Sequence, residues 1–401
     1  MRATPDLIVI AAGISAALHI GKLPPAIPVL EQALGIDLVT AGFLLSMVML
    51  AGVTLGLILG TTAESVGLRR AMLSGLWLLS GASLLGGFAT GAGQLLVLRA
   101  LEGLGFLLIV LPAPGLIRRL IDPALLSRRL GLWSCYMGLG VGASLLVGPL
   151  WLEQLGWRSW WWLLGGLSLL LAIAVQRRIP TGIDRAPGLP PAWGRRIRRT
   201  LVHPGPWLVA LTFGLYSGQW IAVVGFLPTL YSQAGFSSLM IGVLTALVAL
   251  VNIAGNLLAG QLLHRGVAPP KLLSSGFAAM GLTAWLAFGV LTPGALQTLM
   301  ALLFSALGGL IPGALFFLAV RLAPDEFTVS STVGWMQQWS ACGQFVGPPL
   351  VALMVGFRGH WEATWWVTGS MAAGGIVMAL LLSRHTRRVG PETPTTRSPS
   401  S

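Results

Sequence analysis

Twelve apolar stretches of about 20 residues recur along this 401-residue chain, and no other feature limits its fold as strongly. A helix of that length crosses the roughly 30 Å hydrocarbon core of a bilayer. Backbone groups in lipid must bond to one another, and the alternation of a membrane β-barrel is absent. The sequence therefore predicts an all-α integral membrane protein. The predicted spans are 7–30, 38–61, 71–90, 94–117, 131–151, 160–176, 206–230, 238–262, 272–291, 295–319, 330–355 and 362–383.

The basic residues predict the orientation of these spans. The net charge is +13, and 21 of the 25 Lys and Arg residues fall in the segments on the side of the N-terminus. Arg158 and Arg358 fall on the opposite side, and Lys22 and Arg99 fall within spans. This is the positive-inside pattern, so we expect both termini in the cytoplasm. The expected location is a bacterial inner (plasma) membrane. The positive net charge is therefore explained by topology, and we expect no nucleic-acid partner. The basic residues would instead contact anionic lipid.

The chain repeats itself at an offset of 200 residues. The repeated pairs include Pro28 with Pro228, Gly35 with Gly235, Gly42 with Gly242, and Gly60 with Gly260. This predicts two six-helix pseudo-repeats at 1–176 and 205–383, a cytoplasmic linker at 177–204 and a disordered tail at 384–401. Two parallel six-helix repeats are typical of transporters that alternate access to a site near the bilayer midplane.

The sequence lacks the signatures of an enzyme. There is no nucleophile–base constellation, no metal-ligand spacing and no phosphate-binding loop, and the two cysteines are isolated. We therefore expect no catalytic activity, no metal and no cofactor. Transport would run on ion or solute gradients, and nothing indicates an obligate oligomer, so we expect a monomer.

The loop after the second span carries a recognisable motif. It reads "GTTAESVGLRRAML", and Gly60, Glu64, Gly67, Arg69 and Arg70 occupy its characteristic positions. It resembles the loop motif of the major facilitator superfamily, with glutamate for the usual aspartate and serine for the first arginine. The resemblance implies the major facilitator fold and a charged latch that holds the outward-facing state. The alternative is that Arg69 and Arg70 only determine the membrane topology.

Two ionisable residues lie in the fourth span. "LRALEGLG" resembles the superfamily's helix-4 pattern, with Glu102 in place of glutamine. Arg99 and Glu102 are i and i+3, so they share a helix face and can pair. One interpretation is a self-neutralising pair that fixes helix packing. The other is a switch coupled to protons or substrate, with Glu102 as the leading proton carrier.

Within the superfamily, the chain is similar to the cyanate permease and 2-nitroimidazole transporter group. Three stretches carry this resemblance: "GKLPPAIPVLEQALGI" in the first span, "GLWSCYMGLGVGASLLVGPLWLEQLGWR" around the fifth, and "FGLYSGQWIAVVGFLPTLYSQAGFSSLMIGVL" across the seventh and eighth. The resemblance implies small anions or nitroaromatic compounds as substrates.

The first span contains His19 and Lys22, three residues apart on one face. Their counterparts at the 200-residue offset are Gln219 and Ala222, so the scaffold does not require charge there. If Arg99 pairs with Glu102, Lys22 lacks an obvious partner and is free to bind a small anion. The alternatives are a lysine that extends to the interface and a histidine that is simply packed.

Polar residues in the second half are candidates for the opposite wall of a substrate cavity, with one from the fifth span. The candidates are Tyr136, Tyr216, Gln219, Trp220, Asn252, Gln337 and Gln338. The alternative is that these groups tie helices together. "GGLIPG", at 308–313, predicts a break in the tenth span.

Together these features predict a secondary active transporter for a small anion or weak acid, with proton coupling left open. The alternative hypothesis is efflux of neutral or aromatic compounds.

Overall fold

The computed structural model describes residues 5–122, 129, 132–133, 135–184, 193–290, 294–325 and 328–389. Ten described segments are long and apolar enough to cross a membrane. One of them, Tyr136–Arg178, is 43 residues long and breaks at Gly156, where φ is 74°, so it holds two spans. Leu68–Gly86 adds a further helix of 19 residues. The described residues thus form twelve spans, labelled α1 to α12, and the all-α prediction is confirmed.

The first six spans have these bounds. α1 comprises Pro5–Gly21, a 3-10 turn at Pro24–Ala26, and Ile27–Leu34; α2 comprises Leu38–Met47 and Leu50–Val66; α3 is Leu68–Gly86; α4 comprises Ala92–Val110 and Ala113–Leu120; α5 and α6 are the parts of Tyr136–Arg178 before and after Gly156.

The remaining spans follow a short linker helix, Trp193–Val202. α7 is Pro204–Gln233, α8 is Ser238–His264, α9 is Pro269–Ala284 with a π-helical end at Trp285–Val290, α10 comprises Ala295–Gly308 and Leu310–Arg321, α11 is Val329–Arg358, and α12 is Thr364–Val389. The predicted break in "GGLIPG" is confirmed, because the tenth span is interrupted at Gly309.

Local structure repeats at the 200-residue offset. Gly35 and Gly235 both follow the C-terminal end of a helix with positive φ, 62° and 78°, a conformation that glycine adopts without steric cost. Two residues later, Asp37 and Ser237 cap the next helix by accepting hydrogen bonds from the backbone of Thr40 and Met240. Equivalent sequence therefore folds into equivalent turns, and the bounds of the two repeats stay a prediction.

The two halves meet along two helix pairs, α2 with α11 and α5 with α8. Within each half, α1 packs on α5 and α7 packs on α11. Glycines permit the close approaches: a Cβ on Gly42 would lie 3.1 Å from the backbone of Pro348, and one on Gly142 would lie 2.9 Å from the side chain of Leu250. The halves thus contact each other through pairs that the pseudo-repeat relates.

The end of the bundle away from the chain termini is filled by one hydrophobic cluster. It joins Leu23, Ile27 and Leu30 of α1 to Phe226 of α7 and Val351 of α11, all buried. This cluster spans both halves and is called the apolar closure below. The side on which α1 begins and α12 ends is called the terminal side. Large apolar side chains remain exposed on the outer faces, as expected for contact with lipid.

Candidate functional site

His19, Lys22, Arg99 and Glu102 lie together in the first half, between α1 and α4. All four side chains are at most 1% exposed. Lys22 forms an ion pair with Oε1 of Glu102, while Nη1 of Arg99 lies 2.6 Å from Oε2 of the same carboxylate. The predicted pairing of Arg99 with Glu102 is therefore present. These four residues are called the charged cluster.

The expectation that Lys22 would lack a partner is wrong, because Glu102 holds a different cation on each of its two oxygens. The ammonium group also lies 3.0 Å from Oγ of Ser83 on α3 and 3.4 Å from Nδ1 of His19. An ammonium group has three hydrogens to donate, and here three acceptors receive them. The Trp161 ring of α6 covers the nitrogen at 4.6 Å from the ring centroid.

Arg99 connects three helices. Its Nη1 donates to the backbone oxygen of His19 at 2.8 Å, and its Nε donates to that of Leu44 on α2 at 3.3 Å. Its Nη2 is buried and has no hydrogen-bond partner among the described residues. A guanidinium group stays charged in proteins, so this nitrogen presents an unmatched donor on a permanent cation.

His19 extends the cluster toward the terminal side. Its Nε2 lies 3.0 Å from Oγ of Ser168 on α6, and that oxygen lies 3.0 Å from Oγ of Ser15, one turn earlier on α1. Because Lys22 can only donate, Nδ1 of His19 accepts, which places the ring proton on Nε2 in this arrangement. His19, Ser168 and Ser15 form a continuous row of buried groups, called the hydroxyl chain below.

The charged cluster carries one excess positive charge. With His19 neutral, the described residues of the cluster provide two cations, Lys22 and Arg99, and one anion, Glu102. An uncompensated charge is costly in a buried site at membrane depth. The cluster is therefore suited either to receive one negative charge or to lose one proton.

A second group of polar side chains lies in the other half, where α7, α8 and α10 meet. The hydroxyl of Tyr216 lies 3.2 Å from Oδ1 and 2.9 Å from Nδ2 of Asn252. That Nδ2 also donates to the backbone oxygen of Ser305 at 2.8 Å, and Nε1 of Trp220 donates to Oγ of Ser305 at 2.9 Å. Three of the predicted lining residues thus lie together, in what we call the amide cluster.

Among the described residues, the other predicted lining residues form no hydrogen bond with the amide cluster. Tyr136 stacks on Trp133 at 4.4 Å between ring centroids, and Gln219 is buried with its Oε1 unpartnered among the described residues. Gln337 is exposed, whereas Gln338 reaches α2 in the other half. Its Oε1 accepts from the backbone nitrogen of Leu57 at 2.9 Å and its Nε2 donates to the backbone oxygen of Val53 at 2.7 Å.

The predicted latch is described only in part. Gly60 and Gly67 lie at the end of α2, and the side chain of Glu64 is outside the described residues. Arg69 donates to the backbone oxygens of Ile179 at 2.8 Å and Gln176 at 2.9 Å, at the end of α6. Those bonds place a cation at a helix C-terminus within its own half. Arg70 is exposed.

Sequence reasoning missed the partners that α3 and α6 provide, namely Ser83, Trp161 and Ser168. Each is a single residue in an apolar helix, without a spacing that indicates a role. Ser15 could have been found, because Ser15, His19 and Lys22 are i, i+4 and i+7 on one helix face. The described residues contain no group of His, Cys, Asp and Glu able to hold a metal ion.

The fold and this buried ionic site define a multi-pass integral membrane protein built from two repeated six-helix bundles. The family model of the Major Facilitator Superfamily matches residues 7–332. The chain belongs to that superfamily, which confirms the resemblance drawn from its motifs.

Curated relatives are distant. The chain is 25% identical to the cyanate transport protein CynX of Escherichia coli (strain K12) over 257 residues, 63% of this chain and 65% of that protein. It is also 25% identical to the 4-hydroxybenzoate transporter PcaK of Pseudomonas aeruginosa, over 84% of this chain and 82% of that protein. A third relative is the 2-nitroimidazole transporter of Escherichia coli (strain K12), 25% identical over 84% of each chain. The first of these matches spans slightly less than two thirds of its relative's length.

A solved structure shares the fold. A bacterial homologue of the human lysosomal transporter Spinster, in an inward-facing and unoccupied conformation, gives a TM-score of 0.80 at 14% identity. The match covers 97% of this chain and 98% of that one. At this identity the likeness shows the fold alone.

Proposed function

We propose that this protein is a secondary active transporter that moves a small monovalent anion, the conjugate base of a weak acid, by alternating access. Two six-helix halves that meet through repeat-related helix pairs suit a rocking motion about a central site. The names of three relatives describe transport of cyanate, 4-hydroxybenzoate and 2-nitroimidazole, which are small, and the first two are acids or their anions.

The excess positive charge of the charged cluster is the observation that carries this proposal. Two cations share one carboxylate, and Nη2 of Arg99 has hydrogens to offer at the junction of α1, α2 and α4. A monovalent anion would neutralise the cluster and accept a hydrogen bond from Nη2 of Arg99. In this proposal Arg99 binds the anion, while Lys22 acts through the charge it contributes, since its own donors are already used.

The amide cluster supports a neutral or aromatic substrate as a second candidate. Tyr216, Trp220 and Asn252 offer hydroxyl, ring and amide groups without formal charge. A 2-nitroimidazole transporter is among the relatives, and puromycin resistance is the name of another, matched at 30% identity over 36% of its length. A neutral compound would leave the excess charge of the charged cluster unmatched.

The setting of this activity follows from charge placement and connectivity. We propose that the protein lies in a bacterial inner membrane with both termini in the cytoplasm. The reason is that 21 of the 25 basic residues fall in segments on the side of the N-terminus. One chain contains both halves of the pathway, with the linker between them, so a monomer suffices for transport. The roles of Gly60, Glu64, Gly67, Arg69 and Arg70 as a latch remain part of the proposal.

Ligand-dependent thermal unfolding of the detergent-purified protein tests the proposal. Cyanate, 4-hydroxybenzoate and 2-nitroimidazole are the probes, because a ligand that binds the folded state raises its apparent stability. An anion should stabilise the natural protein and lose that effect in Arg99→Gln. Arg158→Gln is the matched control, since Arg158 donates to the backbone of Ala89 outside the cluster. Stabilisation by 2-nitroimidazole alone, unchanged in Arg99→Gln, would select the second candidate.

A further inference from the structure

Glu102 is poorly placed to carry a proton, although it is the carboxylate of the charged cluster. Both of its oxygens hold cations, Lys22 on one and Arg99 on the other. A proton added to Glu102 would leave two buried cations without a counter-charge. A proton removed from Lys22 would leave the neutral pair of Arg99 and Glu102. The charge balance therefore selects Lys22 as the group that changes protonation.

The hydroxyl chain provides the path for that proton. Nζ of Lys22 lies 3.4 Å from Nδ1 of His19, and the next two gaps, His19 to Ser168 and Ser168 to Ser15, are each 3.0 Å. All four groups are buried. One turn beyond Ser15, toward the terminal side, α1 carries the small residues Ala11 and Ala12, and Ala11 is partly exposed. A proton that leaves Ser15 toward the terminal side would therefore pass these small side chains.

We propose that Lys22 carries the coupled proton and that His19, Ser168 and Ser15 conduct it to the terminal side. Lys22 gives a proton to Nδ1 of His19 and becomes a neutral amine. The ring gives its Nε2 proton to Ser168, Ser168 passes its own proton to Ser15, and Ser15 releases one to water. Each hydroxyl ends with one proton, and the neutral ring holds its proton on Nδ1 until it exchanges tautomers.

This inference rests on the proposed function and specifies its coupling. The charged cluster is neutral in two conditions: with Lys22 protonated and one anion bound, or with Lys22 deprotonated and no anion. One proton would therefore travel with one monovalent anion, and transport would be electroneutral. The cluster would never pass through a state with two uncompensated cations.

The groups packed around Lys22 are consistent with this assignment. From α4 it faces Glu102 and, beyond it, Arg99; from α3 it faces Ser83; from α6 it faces the ring of Trp161. Within α1 it faces His19. Among these described neighbours, His19 is the titratable group that can accept a proton from Lys22 and also contacts a group, Ser168, to which it can pass a proton.

Infrared spectroscopy tests the assignment without any substrate. The purified protein is titrated across the pH range in which it is folded, and the signals of Glu102 are identified by their loss in Glu102→Gln. Glu102 should remain a carboxylate throughout that range. A carboxylic acid band that grows at lower pH and is missing in Glu102→Gln would make Glu102 the carrier and overturn the inference.

Transport in proteoliposomes tests the path, with labelled cyanate and 4-hydroxybenzoate as probes and an internal pH dye. Anion exchange across the membrane needs no net proton movement, whereas net uptake does. Ser15→Ala and Ser168→Ala should keep exchange, because neither serine belongs to the charged cluster, and should lower net anion-driven proton influx by about 10²-fold, the lower end of what a positioned proton-transfer group contributes. Ser168→Thr, which retains a hydroxyl, should restore it.

Ser144→Ala is the matched control for these variants. Ser144 is also a buried serine facing α1, but it donates to the backbone oxygen of Leu18 at 2.9 Å, outside the hydroxyl chain. It should leave both exchange and proton influx unchanged. No exchange of either probe by the natural protein would count against the proposed function. Normal proton influx in Ser15→Ala and Ser168→Ala, with exchange intact, would reject the proton path alone.

Discussion

At the residue scale, the charged cluster depends on Glu102 more than on either cation. Glu102→Gln would leave Lys22 and Arg99 facing each other in a buried site without a counter-charge. Removing one partner of a buried ionic group typically costs about 3–5 kcal/mol. We therefore expect a large loss of thermal stability in Glu102→Gln, measured by unfolding in detergent at fixed pH.

The control is the double variant Lys22→Met with Glu102→Gln. It retains Arg99 as the single cation, so its cluster has the same net charge as the natural protein. We expect it to recover part of the lost stability. A double variant less stable than Glu102→Gln would show that Lys22 stabilises the fold by packing against Trp161 and not through charge.

Residue-scale reasoning predicted part of this site. The i and i+3 spacing of Arg99 and Glu102, and of His19 and Lys22, correctly placed each pair on one helix face. It could not show that the two faces turn toward each other, because helix rotation is decided by packing with α3 and α6. The assumption that Glu102 serves one cation failed for that reason: a carboxylate has two oxygens, and α1 brings Lys22 to the second.

At the element scale, α8 and α10 approach so closely that one glycine cannot be replaced without moving the two helices apart. A Cβ on Gly255 would overlap the backbone oxygen of Ala306 and lie 2.9 Å from Cα of Gly309. On the same helix, a Cβ on Gly260 would meet nothing within 4 Å. We expect Gly255→Ala to lower the free energy of unfolding by about 1–3 kcal/mol, because two backbones must separate.

Gly260→Ala is the internal control for that measurement. Alanine has the higher helix propensity, so this change should be neutral or raise stability by up to about 1 kcal/mol. Thermal unfolding of both variants under one set of conditions decides the matter. Equal effects of the two substitutions would contradict the packing that the structure gives for α8 and α10.

The repeat made the elements predictable, since Gly35, Asp37 and their counterparts at 235 and 237 end and start helices in the same way. The mid-span break of α10 was also readable from "GGLIPG". The tight turn between α5 and α6 was not readable, because the backbone changes direction at the single residue Gly156. Glycine identity alone does not distinguish a turn from close packing, and this chain has 53 glycines.

At the scale of the whole molecule, Gln338 joins the halves on their α2–α11 side. Its amide binds both the backbone nitrogen of Leu57 and the backbone oxygen of Val53. Gln338→Leu removes both bonds while keeping the volume, so separation of the halves at the terminal side should become easier. Spin labels at Ser74 and Ser275, exposed on α3 and α9, should report longer or broader distances in this variant. Gln344→Leu, whose amide bonds within α11, should leave the distances unchanged.

The apolar closure should control the opposite side of the molecule in the same way. Phe226 is 3% exposed and packs among residues of both halves, so Phe226→Ala would create a cavity between bundles that can separate. A buried phenylalanine is worth about 3–5 kcal/mol, and each 1.4 kcal/mol shifts an equilibrium tenfold. We therefore expect spin labels at Gln32 and Ser232, on the ends of α1 and α7, to show a second, longer distance.

Phe277→Ala separates that effect from simple loss of stability. Phe277 is fully buried within the second half alone, where its ring lies against Gly375 of α12. Both alanine variants should unfold at lower temperature, because both leave a cavity of similar size. Only Phe226→Ala should change the distance between Gln32 and Ser232, since only that cavity lies where the halves meet. If Phe277→Ala changed it equally, the two bundles would not move as separate bodies, and alternating access by rocking would lose its structural basis.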